Sequence, residues 1–231
     1  MPPRRHAACL AISAALALAC AALTLGCAST LERGFTHAND ATSERGLPLE
    51  PGERALLAAI FGPTLDLDPI RLVSGSIAGS GTARTLQNTI YFTPSADVRR
   101  PAFRASDEFL RLLVHETTHV WQFQNVGLRY IADSLYDQAM GGVTHGSRLV
   151  AYRYVVDPEQ PFSRLGTEQQ AKLIEDYALV RLLGRKPAGC DSCEGAAPGA
   201  FEEQVHVLLR RDVNPEFAPL DGKALLHVLG R

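Results

Sequence analysis

The sequence predicts an α+β fold, mostly helical, with a small antiparallel sheet early in the chain. Three observations predict it. Apolar residues recur at helical spacing through the second half. Two short runs rich in β-branched and aromatic residues, 70–73 and 89–92, precede those helices. Gly- and Pro-containing breaks then divide the chain into segments of element length. With 231 residues, 46% apolar and 21% charged, the chain has enough material for one domain with its own core. A formal charge of −2 leaves no basic field, so nucleic-acid binding is not expected.

The first 26 residues read as an export signal. Arg4 and Arg5 precede an uncharged Ala/Leu-rich run from 7 to 26, and losing both arginines would leave the remainder two charges more negative. The run ends Leu23-Thr24-Leu25-Gly26-Cys27, which resembles a bacterial lipoprotein cleavage site with Cys27 as the lipidated residue. Thr24 stands where such sites usually carry Leu. Cys20 is a second candidate, and ordinary cleavage near Ala28 or an uncleaved anchor are the other outcomes. All of them put the body of the chain outside the cytoplasm, in the cell envelope, with a lipid anchor at the membrane as the favoured form. Residues 27–50 read as a flexible tether and 51–231 as a single domain.

Within that domain, 51–61 has helical spacing, with Pro51 at its start and Gly62-Pro63 closing it. The two strand-like runs follow, separated by a Gly/Ser stretch at 74–81. Ser106 then caps a helix whose first turn carries Asp107 and Glu108, and which runs to about 124 or 125, before Gly127. Residues 130–139 form a further helix, a Gly-rich loop fills 141–146, and an apolar run occupies 149–156. Helices are expected at 167–183, 199–211 and 223–229. Beyond Cys27 at the cleavage site, only Cys190 and Cys193 remain. Outside the cytoplasm, a C-x-x-C pair without a βαβ context reads as a local disulfide.

Chemistry concentrates in His115-Glu116-Thr117-Thr118-His119. Two imidazoles one helical turn apart, with a carboxylate beside the first, are how a helix holds a zinc ion together with a general base. The surrounding helix is apolar nearly all round, so these polar groups sit in a core, at a cost of several kcal/mol unless something binds them. Zinc wants a third protein ligand and one open position. The places where one peptidase class carries Gly and a third His hold Gln122 and Asn125, which excludes that class. A Glu from a later helix is the alternative. Glu168 is favoured because Glu168-Gln169-Gln170-Ala171 resembles the E-x-x-A segment in which gluzincin-type peptidases carry the ligating Glu, and Glu175 is the second candidate. Asp176 is placed to hydrogen-bond a ligating histidine.

These segments, with Ile90-Tyr91-Phe92, His119-Val120-Trp121-Gln122, Tyr152-Arg153-Tyr154 and Glu175-Asp176-Tyr177, resemble the small bacterial Vgr-related, gluzincin-like metalloprotease-like proteins. The resemblance spans about residues 85 to 180. It implies a zinc-peptidase-like domain, with zinc expected on His115, His119 and Glu168, and no particular substrate; the peptidase reading itself calls for a peptide or protein substrate. Zinc peptidases pair extended substrate with an edge strand just upstream of the motif helix, where 89–92 falls here.

In the expected reaction Glu116 takes a proton from a zinc-bound water and passes it to the leaving amine. A further donor for the oxyanion is sought among Tyr154, Tyr152 and His145, with Tyr154 favoured. Trp121 is expected in the core and Gln122 behind a ligand, while His206 and His227 read as ordinary helix residues. Two other functions fit the same pattern: an inactive zinc-binding envelope scaffold, and a zinc amidohydrolase acting on a non-peptide amide.

Overall fold

The computed structural model describes residues 46–75, 83–134, 147–197 and 199–231. The expectations for the export signal, for Cys27, for most of the tether, for the 141–146 loop with His145, and for the end of the 130–139 helix lie outside the described residues.

Helix α1 (Pro51–Phe61) starts where Pro51 needs no hydrogen-bond partner for its nitrogen. Glu53 reaches back to accept from the Glu50 backbone N–H at 2.7 Å. Leu56, Leu57, Ile60 and Phe61 form its buried face. The helix stops at Gly62, whose φ of 54° suits glycine. A Cβ there would lie 2.2 Å from the Asn214 side chain, so the stop is fixed by packing as well as by conformation. Just upstream, Leu47 exchanges backbone hydrogen bonds with Leu72, and Leu49 is buried in the core.

Three strands follow: β1 (Arg71–Ser74), β2 (Ala83–Leu86) and β3 (Thr89–Phe92), in the order β1-β3-β2. The sheet is mixed, which corrects the antiparallel expectation. β1 runs parallel to β3, pairing Leu72 with Ile90, while β2 runs antiparallel, pairing Thr85 with Ile90. The physical reason is the unread strand β2. It joins β3 through a two-residue turn, Gln87-Asn88, with Gln87 at φ 55°, and so takes one side of β3 and leaves β1 the other. All four residues of β3 are buried, as a central strand requires. The edge strand beside the motif helix is therefore β2, in place of 89–92.

After the short helix α2 (Pro101–Arg104), Ser106 caps α3 (Asp107–Val126), its Oγ accepting from the Phe109 N–H at 3.1 Å. Gly127, at φ 69°, ends the helix. α3 is buried on several sides because the sheet covers it through β2 and β3 while α4 (Thr167–Leu183) packs along the other side. Residues 129–134 are helical and turn back over the motif. The 149–156 run resolves into a 3₁₀ turn, Arg148–Tyr152, followed by extended chain whose Tyr154 bridges Cys190. Cys190 and Cys193 are joined by a disulfide. Helices α5 (Ala200–Leu208), continued by a π-turn at Leu209–Val213, and α6 (Gly222–Val228) close the core from the far side of α4. Among the described residues no helix is long and apolar enough to cross a membrane. The architecture is α+β, mostly helical, with a small three-stranded sheet.

Candidate metal centre

His115, Glu116 and His119 lie halfway along α3, each 7% exposed or less. The i, i+4 spacing puts the imidazoles on one face, ring centroids 5.1 Å apart and nearly perpendicular. α4 supplies Glu168 from its first turn. Glu168 Oε2 lies 3.3 Å from His115 Nε2 and 3.5 Å from His119 Nε2. One donor atom from each residue falls within 4.8 Å of the others, all three residues being buried. Two imidazole nitrogens and a carboxylate oxygen at this spacing suit a metal ion that keeps a further position open.

The outer edges of both rings are already engaged. His115 Nδ1 lies 3.0 Å from Glu175 Oε2, and His119 Nδ1 lies 2.7 Å from Gln122 Oε1. The Gln122 amide is oriented by donating to Thr167 O at 3.0 Å and to Gln170 Oε1 at 2.9 Å, so its oxygen must face the imidazole. Both Nδ1 atoms then act as donors, and in the neutral rings both Nε2 lone pairs point inward. That tautomer is the one metal binding requires.

Charge reinforces the geometry. Burial alone would lower the His115 pKa, but hydrogen bonds to Glu168 and Glu175 outweigh it and carry it up to about 10. His119 is likewise raised against the effect of burial, chiefly by the Glu168 charge. Burial pushes Glu168 up, yet the two imidazoles hold it well below the usual carboxylate range, and His115 does the same for Glu175. With both imidazoles neutral, as ligation requires, the carboxylates of Glu168 and Glu175 are the charge that a bound cation could offset.

Glu116 faces the sheet side. Thr85 Oγ1, on β2, lies 2.9 Å from Glu116 Oε2 and 2.8 Å from the Glu116 carbonyl. Tyr130 stacks on His119 at 6.0 Å, and its hydroxyl donates to Thr85 O at 3.0 Å. Ser134 Oγ donates to Glu168 Oε1. On the other flank the Tyr152 ring lies 5.9 Å from that of His115. Burial, and then the neighbouring carboxylates, push the pKa of Tyr152 and of Tyr130 up, so both stay protonated at neutral pH. A cavity of about 710 Å³ lies on the outer side of Gln122 and Tyr130, lined also by Trp121, Phe162 and Thr167, and neither histidine nor Glu168 lines it.

No family model matches the sequence. Over 144 residues the chain is 28% identical to the type VI secretion system spike protein VgrG2b of Pseudomonas aeruginosa. That alignment covers 60% of this chain and 13% of VgrG2b, so the chain spans a small part of that relative's length. A solved structure, the effector domain of Pseudomonas aeruginosa VgrG2b, aligns at 25% identity and a TM-score of 0.47, covering 66% of this chain and 88% of that domain. The sequence similarity supports the Vgr relation.

Of the residues singled out in the sequence, His115, His119 and Glu168 come together, with Glu116 beside them. Glu175 serves a different part from the one weighed for it: it binds the outer nitrogen of His115. Asp176 does not reach a histidine, and instead accepts from the Tyr154 hydroxyl at 2.8 Å and the Gly189 N–H at 2.7 Å. Tyr154, favoured as the oxyanion donor, is therefore committed to the core, and Tyr152 is the tyrosine that faces the cluster. Trp121 packs between Phe61 and Phe162, and Gln122 stands behind His119. Thr85, Tyr130 and Ser134 were not foreseen. Thr85 sits in a strand without a β-branched run, and the other two reach the site only because 129–134 folds back.

Proposed function

We propose that this chain is a zinc-dependent, gluzincin-like metallopeptidase of the cell envelope, held there by a lipid on Cys27. One observation carries the reading: His115 Nε2, His119 Nε2 and Glu168 Oε2 converge with both Nδ1 atoms occupied from outside, and Glu116 lies alongside. The donor set of two imidazoles and a carboxylate fits zinc with an open position. The similarity to a secretion-system spike protein and the export-type N-terminus both support action outside the cytoplasm.

Zinc, when bound, supplies a Lewis acid that acidifies water and polarises a carbonyl. The remaining work falls to side chains. Glu116, steadied by Thr85, takes the proton of the attacking water and returns it to the leaving amine nitrogen. Tyr152, kept protonated by its surroundings, donates a hydrogen bond to the oxyanion that forms at the scissile carbonyl. Glu175 and Gln122 hold the two imidazoles in the ligating tautomer. β2, as the edge strand, offers the backbone against which an extended substrate can lie.

A second reading, a zinc-binding scaffold without turnover, is favoured by the placement of Tyr130 and Ser134, which occupy Thr85 O and Glu168 Oε1. Glu116→Gln separates the two. As a peptidase the variant keeps its zinc and loses roughly 10²–10⁴-fold in cleavage of a mixed peptide library. Cleavage equal to wild type at equal zinc would remove Glu116 from the mechanism. Wild-type protein that holds zinc and cleaves nothing would favour the scaffold.

A further inference from the structure

We propose that the Cys190–Cys193 disulfide is a positioning element of the metal centre, acting through Gly189, Asp176, Lys172 and Glu175 on His115. The proposal rests on the metal-site reading above, and not on peptide hydrolysis.

The path is a chain of short contacts that leads from a surface turn inward to buried carboxylates. The disulfide closes the turn that follows Gly189. That turn is fastened to the strand-like chain at Tyr154, whose N–H donates to Gly189 O at 2.9 Å and whose carbonyl accepts from Asp191 at 2.8 Å. Ser192 Oγ accepts from the Val156 N–H at 3.1 Å. So held, the Gly189 N–H aims at Asp176 Oδ2, 2.7 Å away. The other Asp176 oxygen lies 2.9 Å from Lys172 Nζ, which also sits 2.6 Å from Glu175 Oε1. Glu175 Oε2 then meets His115 Nδ1.

Two features make this more than adjacency. Glu175 and Asp176 are successive acids, each 1% exposed, that share one ammonium group. Moving Asp176 must move Lys172, and with it the carboxylate that orients His115. Gly189 also has no room for a side chain. A Cβ there would stand 2.7 Å from Lys172 Cγ and 2.7 Å from the carbonyl of Tyr152, the residue whose ring flanks His115. The backbone at Gly189, next to Cys190, therefore packs closely against both supports. Outer-layer partners of a ligating histidine typically change metal affinity about 10–100-fold.

Reduction by a thiol such as glutathione breaks the Cys190–Cys193 bond. Each sulfur gains one electron and one proton, and two glutathione molecules leave as their disulfide. Coupling between the bridge and the metal is reciprocal. If the bridge tightens zinc binding about tenfold, bound zinc must lower the disulfide's reduction potential by about 30 mV.

The test uses the protein with its disulfide formed, and zinc affinity is read by competition with a chromophoric chelator. Lys172→Met and the double variant Cys190→Ser/Cys193→Ser are compared with wild type, together with the visible spectrum of each cobalt-loaded protein. The expected result is about tenfold weaker zinc binding in both variants and a shifted cobalt spectrum. In glutathione buffers with free zinc held constant, the wild-type disulfide should become harder to reduce when zinc is present. A bridge that only stabilises the fold would lower the melting temperature of the double variant and leave zinc affinity, cobalt spectrum and potential unchanged, which overturns the proposal. Lys172→Met binding zinc as tightly as wild type would overturn it too. Wild-type protein that takes up no zinc would instead sink the metal-site reading itself.

Discussion

Glu175 Oε2 lies 3.0 Å from His115 Nδ1, while Glu168, seven residues earlier on the same helix, reaches Nε2 of that ring at 3.3 Å. Two carboxylates two turns apart thus grip opposite edges of one imidazole. The division of labour follows from which nitrogen each one meets. Glu168 also reaches His119, so it joins the group that could hold a metal, and Glu175 stands behind that group.

The two acids should therefore fail differently. Glu168→Ala is expected to abolish stoichiometric zinc, whereas Glu175→Gln should weaken zinc binding about 10–100-fold and leave one site per chain. Chelator competition measures both. The reverse order would make Glu175 the ligand.

Tyr152 and Tyr154 are two residues apart and should also separate. Tyr152→Phe removes the hydroxyl at the site and is expected to cost roughly 10²–10³-fold in kcat at unchanged zinc content. Tyr154→Phe removes a buried hydrogen bond to Asp176 and should cost about 1–2 kcal/mol of stability, read by denaturant titration. A kcat loss confined to the Tyr154 variant would restore the expectation drawn from sequence.

Thr85 tethers the side chain assigned as general base. Thr85→Val keeps the shape and deletes the donor, so cleavage should fall roughly 10–100-fold while zinc remains at one per chain. Unchanged cleavage would mean that Glu116 is positioned without β2.

Stability should fall with acidity through His206. Burial first, and then the nearby Arg181 charge, lower its pKa below the ordinary 6.5, and the Tyr177 hydroxyl lies 2.7 Å from its Nε2. A folded-state pKa below the unfolded one contributes stability above the unfolded value, and that contribution is lost as pH falls through the folded value. Melting temperatures between about pH 8 and about pH 5 should drop more steeply for wild type than for His206→Gln. Parallel curves would remove His206 from the pH response.

Much of the site was legible because its residues are local in sequence. The 115–119 motif lies on one helix whose cap at Ser106 and stop at Gly127 can be read directly, and Glu168 opens the next long helix at a recognisable signal. Long-range relationships were not legible. Spacing cannot say which of two carboxylates on one helix face meets Nδ1 and which Nε2, because that depends on how α3 and α4 cross. Nor could it choose between Tyr152 and Tyr154, since residues two apart share a face in an extended chain, and here they part only because Tyr152 ends a 3₁₀ turn while Tyr154 lies in the bridge to Cys190. β2 escaped because Ala83-Arg84-Thr85-Leu86 lacks strand composition and is held mainly by its turn to β3. Missing it inverted the sheet's pairing and hid Thr85.

The measurement that bears most directly on the account is the zinc content of purified wild-type protein beside that of His119→Ala, by elemental analysis after dialysis against trace-metal-free buffer. The account predicts one zinc per wild-type chain and none retained by the variant. Wild-type chains that fold and hold no zinc, or a variant that keeps the full complement, would contradict it.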